Sequence, residues 1–347
     1  MTDPQHNIYF YPHTKRNFTE IKNPYVSELR QALSQQAKIV NKEPSNKGFL
    51  DIIKYLNKID TVYFNWIENL PDKKGGMIQS LFLIVFLHMH QWLGIQIIWT
   101  LHNKISHDRK NFKLKNILFQ TLLKKSDLIL THASEGVRYA AEVTTNKSYK
   151  PNIHYFPHPA YHRLETTAPD YNSMKYDILI WGTIAAYKGI DRFLDFLYKN
   201  RKQNDYRILI VGKILSKDYE KTMDRFQNDN IHIINKFVDD DQLVNYIQQS
   251  TLTLFTYNSD SVLSSGALIF SFTHGAEILG PNVGSFSDMH QEGYVEVFND
   301  YADLINKIDK KLKKKGRTTD QDKIETFEKK YNWKNFVQRI IELISEK

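Results

Sequence analysis

Short apolar runs alternate along the chain with longer segments in which apolar residues recur at helical spacing. The runs that predict strands in the first half are 6–11, 37–40, 60–64, 95–100, 126–132 and 152–156. Those in the second half are 177–181, 206–211, 231–234, 251–256, 277–280 and 294–298. Strands separated by helices indicate parallel βαβ units. The pattern therefore predicts an α/β fold of two doubly wound, Rossmann-like domains that face an interdomain cleft.

A polar segment separates the two halves. Residues 165–176 hold one proline and show no apolar period, which is typical of a linker. The division gives an N-terminal domain of residues 1–164, a second domain of residues 177–330 and an amphipathic helix in residues 331–347. A length of 347 residues favours two domains over one.

One predicted helix is unusually apolar. Residues 77–92, MIQSLFLIVFLHMHQW, are fewer than the roughly 20 needed to span a bilayer, and they include His88 and His90. We therefore expect a buried or interfacial helix.

The N-terminal sequence lacks the charged segment and apolar run of a signal peptide, and the chain has no cysteine. Together these features favour a cytoplasmic protein.

Charge is concentrated in the first half of the chain. The net charge is +8, and residues 1–160 hold 21 Lys or Arg against 12 Asp or Glu. This excess favours anionic partners such as a phosphate-bearing substrate, an anionic membrane or nucleic acid. The chain shows no aromatic and basic platform or recognition motif for nucleic acid, so we expect no nucleic-acid partner.

The segment 257–284 carries the clearest binding signal. Ser261, Ser264, Ser265 and Gly266 precede the apolar run 267–272, as expected at the start of a helix. Free backbone N–H groups at a helix start attract anions, phosphates above all. The segment is therefore a candidate diphosphate site, and the alternative is an ordinary capped helix.

Two further loops follow strands of the second domain. Gly182 and Thr183 open the loop 182–189, in which Lys188 can reach a phosphate, and Gly212 and Lys213 follow the next strand. An ordinary strand-to-helix loop with a surface lysine is the alternative.

In the first domain, His102 follows a predicted buried strand and can hydrogen-bond a sugar hydroxyl or act as an acid or base. His13, Asn23, Glu68 and Glu135 are candidates for the acceptor side; the alternative for the two glutamates is a solvated or helix-capping side chain. His88 and His90 lie two residues apart, on different faces of a helix, so we expect no metal site and no metal cofactor. The absence of G-x-G-x-x-G after the first strand disfavours a nicotinamide or flavin enzyme.

Four stretches together resemble the GT-B fold nucleotide-sugar glycosyltransferases, most closely glycosyltransferase family 4 of the bacterial polysaccharide-assembly type. They are WTLHN (99–103), SDLILTHASEGVR (126–138), DILIWGTIAAYKGIDRFL (177–194) and VLSSGALIFSFTHGAEILGPNVG (262–284). The resemblance covers most of the chain. It implies that His102 contacts the donor sugar, that Lys188 binds the donor diphosphate, and that the C-terminal helix crosses back to the N-terminal domain.

The chain departs from the family pattern at three positions. The phosphate-binding arginine expected near Thr183 is absent, and the paired glutamates would fall on Val262 and Phe270. These departures leave open the donor sugar and the stereochemical outcome.

The resemblance implies a retaining, metal-independent hexosyltransferase. It would transfer a sugar from a nucleotide-diphosphate donor to a glycan or lipid-linked acceptor in surface polysaccharide assembly, and peripheral contact with the inner face of the plasma membrane is left open. The alternatives are a catalytically reduced nucleotide-sugar- or glycan-binding protein of the same fold and a nucleotide-sugar epimerase.

Overall fold

The computed structural model describes residues 6–13, 24–43, 45–104, 111–144, 149–164, 174–258, 262–313 and 320–346. The chain forms two compact units. The first unit comprises residues 1–159 and 331–347, and the second comprises residues 160–330.

The first unit contains a parallel six-stranded sheet of order β2-β1-β3-β4-β5-β6. Its strands are β1 (Asn7–Tyr11), β2 (Lys38–Ile39), β3 (Thr61–Asn65), β4 (Gln96–Leu101), β5 (Leu128–Thr131) and β6 (Ile153–Tyr155). Its helices are α1 (Pro24–Ser34), α2 (Gly76–Met89), α3 (Phe112–Lys125), α4 (Ser134–Val143) and the last helix of the chain, Trp333–Ser345. Two 3-10 helices, Gly48–Lys58 and Ile67–Asp72, flank β3.

The second unit contains another parallel six-stranded sheet, of order β12-β11-β10-β7-β8-β9. Its strands are β7 (Tyr176–Trp181), β8 (Ile208–Val211), β9 (Ile231–Ile234), β10 (Ser250–Leu254), β11 (Ile278–Pro281) and β12 (Glu296–Phe298). Its helices are α5 (Ile190–Lys199), α6 (Lys217–Asp224), α7 (Asp240–Gln248), α8 (Gly266–Thr273), α9 (Gly284–Gln291), α10 (Tyr301–Lys313) and α11 (Gln321–Lys330), and a 3-10 turn spans Ala186–Lys188. The last helix of the chain, Trp333–Ser345, is numbered α12. The predicted α/β class and both doubly wound sheets are confirmed.

Burial on both faces of each sheet explains why the strands are so apolar. Every residue of β8 is buried, and α5 packs Phe193, Leu194 and Leu197 into the same core. Each such side chain contributes about 1.5–3 kcal/mol through its removal from water. Parallel strands covered by helices on both sides therefore appear in the sequence as continuous apolar runs.

Several predicted boundaries were wrong by one or two residues. The predicted strand 294–298 is only Glu296–Phe298, because the Tyr294 N–H donates to the Met289 carbonyl in the turn after α9. Residue 176 was assigned to the linker but begins β7; residues 165–173 lie outside the described residues. The apolar spacing also predicts a helix over residues 49–56. This segment is part of a 3-10 helix, and eight residues are too few to distinguish a period of 3.0 from one of 3.6. Helices α6, α9 and α11 were not predicted.

The apolar helix α2 ends at Met89, earlier than the predicted Trp92. The Leu93 N–H donates to the carbonyls of Met89 and His90, and Gly94 continues the turn with φ +66°. None of the helices in the described parts of the chain combines the length and the apolar character that a bilayer crossing requires.

Candidate functional site

The carboxyl ends of β7 and β8 approach each other closely in the second unit. The Gly182 N–H donates to the Val211 carbonyl at 2.9 Å, and the Gly212 N–H donates to the Ile234 carbonyl at 3.0 Å. A Cβ on Gly212 would overlap the carbonyl oxygen of Gly182, so this approach requires glycine. The glycines therefore leave a narrow edge where backbone can approach a ligand.

Lys188 points its amino group to this edge. Its side chain is buried, and Nζ donates to the Trp181 carbonyl oxygen at 3.2 Å. A Cβ on Gly182 would lie 2.6 Å from Nζ, so the absence of a side chain there makes room for the ammonium group. The Thr256 hydroxyl donates to the Lys188 carbonyl at 2.7 Å, which fixes the Ala186–Lys188 turn to the end of β10.

An aromatic ring connects Lys188 with the start of α8. Lys188 Nζ lies 5.4 Å from the centroid of the Tyr257 ring, and Tyr257 Oη lies 3.3 Å from Ser265 Oγ. Tyr187 also stacks on Tyr257, with centroids 6.2 Å apart and planes 5° apart. The structure thus brings Gly182, Lys188 and Ser265 into one network.

Ser265 is the N-cap of α8. Its Oγ accepts a hydrogen bond from the Leu268 N–H at 3.2 Å. The N–H groups of Gly266 and Ala267 occupy the first two helical positions, which have no acceptor within the helix. The Ser285 N–H donates to the Leu263 carbonyl at 2.8 Å and holds the segment before α8 against the start of α9.

The electrostatics of this network suit an anion. Burial lowers the pKa of Lys188, and burial raises the pKa of Tyr257 to about 12, so Tyr257 stays neutral. Among the described residues, no carboxylate forms an ion pair with Lys188. A phosphate beside Nζ and the start of α8 would supply the missing negative charge.

Apolar side chains fill the positions where the family places its paired glutamates. Val262 and Phe270 are both buried. Phe270 lies between His274, whose ring stacks on it at 4.2 Å, and Trp181, at 5.6 Å. The Trp181 ring is fixed in turn by a hydrogen bond from Nε1 to Ser271 Oγ at 2.8 Å.

Of the other predicted donor-binding residues, Thr183, Lys213, Ser264 and Gly266 are half-buried. The Lys213 carbonyl accepts from the Ile184 N–H at 3.0 Å, which places both loops side by side. Ser261 lies outside the described residues.

In the first unit, His102 belongs to a buried cluster of histidines around Tyr25. The ring of Tyr25 makes edge contacts at 4.8–5.6 Å with Trp66, His102, His132, His158 and Trp333. His102 also stacks on Trp66, with centroids 4.0 Å apart. Trp66 has φ +51°, an uncommon conformation for a bulky residue.

Hydrogen bonds fix the tautomers in this cluster. His132 Nδ1 lies 2.8 Å from the Phe156 carbonyl and must donate to it, so Nε2 accepts from the Tyr25 hydroxyl at 2.8 Å. The Asn65 side-chain amide donates to the Tyr11 carbonyl, which leaves its oxygen to accept from His102 Nε2 at 3.1 Å.

Burial is the main reason that these histidines stay neutral. It lowers the pKa of His132 to about 4 and that of His158 to about 3, with the neighbouring His132 adding to the effect on His158. The pKa of His102 is lowered well below its ordinary value, by burial first and then by His132 and His158. Charging any of the three would place a cation in an apolar site.

The acceptor-side candidates do not form one group. The buried His13 ring lies 3.3 Å from Asp51 Oδ2, and burial lowers its pKa. Glu68 accepts from Trp99 Nε1 at 3.2 Å, and burial raises the pKa of its carboxyl to about 7. Glu135 forms an ion pair with Lys104 at 2.6 Å. Asn23 lies outside the described residues.

Sequence reasoning missed Tyr25, His132, His158 and Tyr257. Each follows a strand or begins a helix at the carboxyl edge of a sheet, which is the signal that would have found them.

In the described parts of the chain, His, Asp and Glu side chains form no group of three or more that could hold a metal ion. His88 is exposed whereas His90 is buried.

No family model matches the sequence, and no curated protein matches it. Similarity appears in solved structures. Anabaena HepE in complex with UDP and glucose has a TM-score of 0.70 and 12% identity, with 99% of this chain and 100% of that chain covered. Sucrose-phosphate synthase from Thermosynechococcus elongatus has a TM-score of 0.67 and 13% identity, with 99% and 96% covered.

A glycosyltransferase from Rickettsia africae has a TM-score of 0.58 and 12% identity, with 92% of this chain and 87% of that chain covered. These identities are low, so the likeness concerns the fold. Two parallel six-stranded sheets flanked by helices agree with the architecture of these structures. The chain therefore has the GT-B glycosyltransferase fold.

Proposed function

We propose that the protein is a glycosyltransferase that uses a nucleotide-diphosphate sugar and transfers the sugar to a glycan or lipid-linked acceptor. The observation that carries the proposal is the buried Lys188 ammonium beside the start of α8, which forms no ion pair with a carboxylate of the described residues. The structures of Anabaena HepE with UDP and with UDP-glucose support a nucleotide-sugar donor for this fold. A role in bacterial surface polysaccharide assembly and retention of configuration follow from the family resemblance alone.

The proposed chemistry is electrostatic. As the bond between the sugar and the diphosphate breaks, negative charge develops on the leaving phosphate oxygen. Lys188 and the N–H groups of Gly266 and Ala267 would stabilise that charge, because they are fixed in place before the reaction and Lys188 is buried. Contact of His102 with the donor sugar remains a prediction from the resemblance.

A panel of UDP-, GDP-, ADP- and dTDP-sugars in a thermal-shift assay tests the donor. We expect one nucleotide to raise the unfolding temperature by about 5 °C or more, because ligand at about 100 times its Kd adds about 2.7 kcal/mol of stability. The same sugar on the other nucleotides is the control. A flat panel would contradict the proposal.

A second candidate is a nucleotide-sugar-binding protein of the same fold with reduced catalysis. The buried Val262 and Phe270 at the glutamate positions favour it. The two candidates differ in turnover: an enzyme forms glycosylated product, or slowly hydrolyses the donor, whereas the binding protein shifts the unfolding temperature without product.

We also propose that turnover needs no metal ion, because Lys188 and α8 supply the positive charge that a divalent cation would otherwise supply. Donor hydrolysis is therefore expected to change by less than about twofold when excess EDTA is added. If a metal ion stabilised the leaving group, its removal would cost several kcal/mol and the rate would fall much further. A large loss of rate that Mg²⁺ or Mn²⁺ restores would show that a metal takes part.

A further inference from the structure

Helix α2 exposes an apolar stripe on the first unit. Met77, Ile78, Leu81, Val85 and Met89, which we call the α2 stripe, are between 41% and 68% exposed. From Ile78 onward, successive members are three or four residues apart, which is about one helical turn, so they lie along one face of the helix. Leu83, Phe86 and Leu87 are buried on the other face. The helix is therefore apolar on both its protein side and its open side.

Neighbouring elements widen this surface. Ile53 in the 3-10 helix Gly48–Lys58 and Ile117 in α3 are each more than half exposed, and both elements pack against α2. Beyond the end of the helix, Trp92 is 86% exposed. Exposed apolar side chains on three elements packed together are typical of an interaction site.

The surroundings of the stripe are basic. Residues 45–104 and 111–125 hold ten Lys or Arg against four Asp or Glu. Two of the acids, Asp51 and Glu68, are buried, and Asp72 is paired with Lys115 at 2.5 Å. Exposed lysines stand directly before α2, at Lys73 and Lys74, and on both packed neighbours, at Lys54 and Lys113.

We propose that the α2 stripe docks on the surface of an anionic lipid bilayer. A helix of 14 residues is about 21 Å long, too short for a hydrocarbon core of about 30 Å, so it lies in the interface. Apolar side chains enter the boundary between headgroups and acyl chains, Trp92 lies at headgroup level, and the lysines contact anionic headgroups. This inference does not depend on the identity of the sugar donor.

Flotation with phosphatidylcholine vesicles, with and without phosphatidylglycerol, tests the proposal on the full chain. We expect binding to vesicles that contain phosphatidylglycerol and binding about tenfold weaker or more to phosphatidylcholine alone. The triple variant Ile78→Gln, Leu81→Gln and Val85→Gln leaves the charge unchanged. It is expected to lower the partition coefficient about tenfold or more.

The matched control is Leu215→Gln with Phe237→Gln. These side chains are 70% and 58% exposed but belong to the second unit, and their loss should change vesicle binding by less than about twofold. Circular dichroism and the unfolding temperature verify that each variant folds. The proposal is overturned if the native chain binds no vesicles or if the triple variant binds as well as the native chain.

Sedimentation velocity without lipid tests the other occupant, a second copy of the chain. Self-association that the triple variant abolishes, together with no vesicle binding by the native chain, would assign the stripe to a protein interface and overturn the membrane proposal. Nucleotide-sugar binding, measured in parallel, is expected to be the same for the native chain and the triple variant, so failure of one proposal is distinguishable from failure of the other.

Discussion

Replacing Lys188 with methionine is expected to weaken binding of the donor nucleotide about 100-fold or more and to leave the free energy of unfolding unchanged or slightly higher. The side chain is buried, and among the described residues its Nζ contacts the Trp181 carbonyl and the Tyr257 ring. Loss of one member of a buried charge pair costs about 2–5 kcal/mol in binding, or more. Without ligand, the buried ammonium is itself unfavourable, and an apolar side chain of similar length removes that cost.

Calorimetry with the nucleotide selected by the thermal-shift panel, together with chemical denaturation, measures both quantities. Lys217→Met, at an exposed lysine that begins α6, is the matched control and should change affinity by less than about twofold. If Lys188 were only structural, its replacement would lower stability and spare nucleotide binding. That outcome would refute the assignment of the diphosphate site.

The sequence was sufficient to predict most of the fold. All twelve strands were predicted at their places, and most of them are continuous apolar runs because parallel strands are covered on both faces. Two of the helices that escaped prediction, α6 and α11, have a physical reason in common. α6 begins at a serine cap and has a largely polar sequence, and α11 buries only Ile324 and Phe327. Their apolar period is too weak to distinguish them from loops.

The candidate site was only partly predictable. Lys188, Ser265 and Gly266 follow strands or open a helix, so local chemistry was enough to select them. Contacts across the sheet were not accessible in this way. Tyr257 joins Lys188 to Ser265 only because β7 and β10 are neighbours, and the hydrogen bond from Tyr25 to His132 connects residues 107 positions apart. Such partners depend on strand order, which periodicity does not encode.

Mild acid is expected to destabilise the first unit steeply through its buried histidines. The unfolded chain binds a proton at each histidine below a pKa of about 6.5, whereas the folded chain does so only below about 4 at His132 and about 3 at His158. Between these values the unfolded state holds more protons, so stability falls as the pH falls. At about pH 5 these two groups together lower the free energy of unfolding by on the order of 4 kcal/mol. This pH is above the range in which most carboxylates titrate. Urea denaturation monitored at several pH values measures it.

His132→Gln separates this effect from general acid unfolding. Glutamine can donate to the Phe156 carbonyl and accept from the Tyr25 hydroxyl, as His132 does, but it does not titrate. The variant is expected to be about 1–2 kcal/mol less stable near neutral pH, because it fills the site less well. Between about pH 6 and pH 5, the slope of its stability against pH should be shallower by up to about 1.4 kcal/mol per pH unit. His88→Gln, at an exposed histidine, is the matched control and should keep the native slope. An unchanged slope in His132→Gln would refute the prediction, because it would mean that His132 binds its proton equally well in the folded and the unfolded chain.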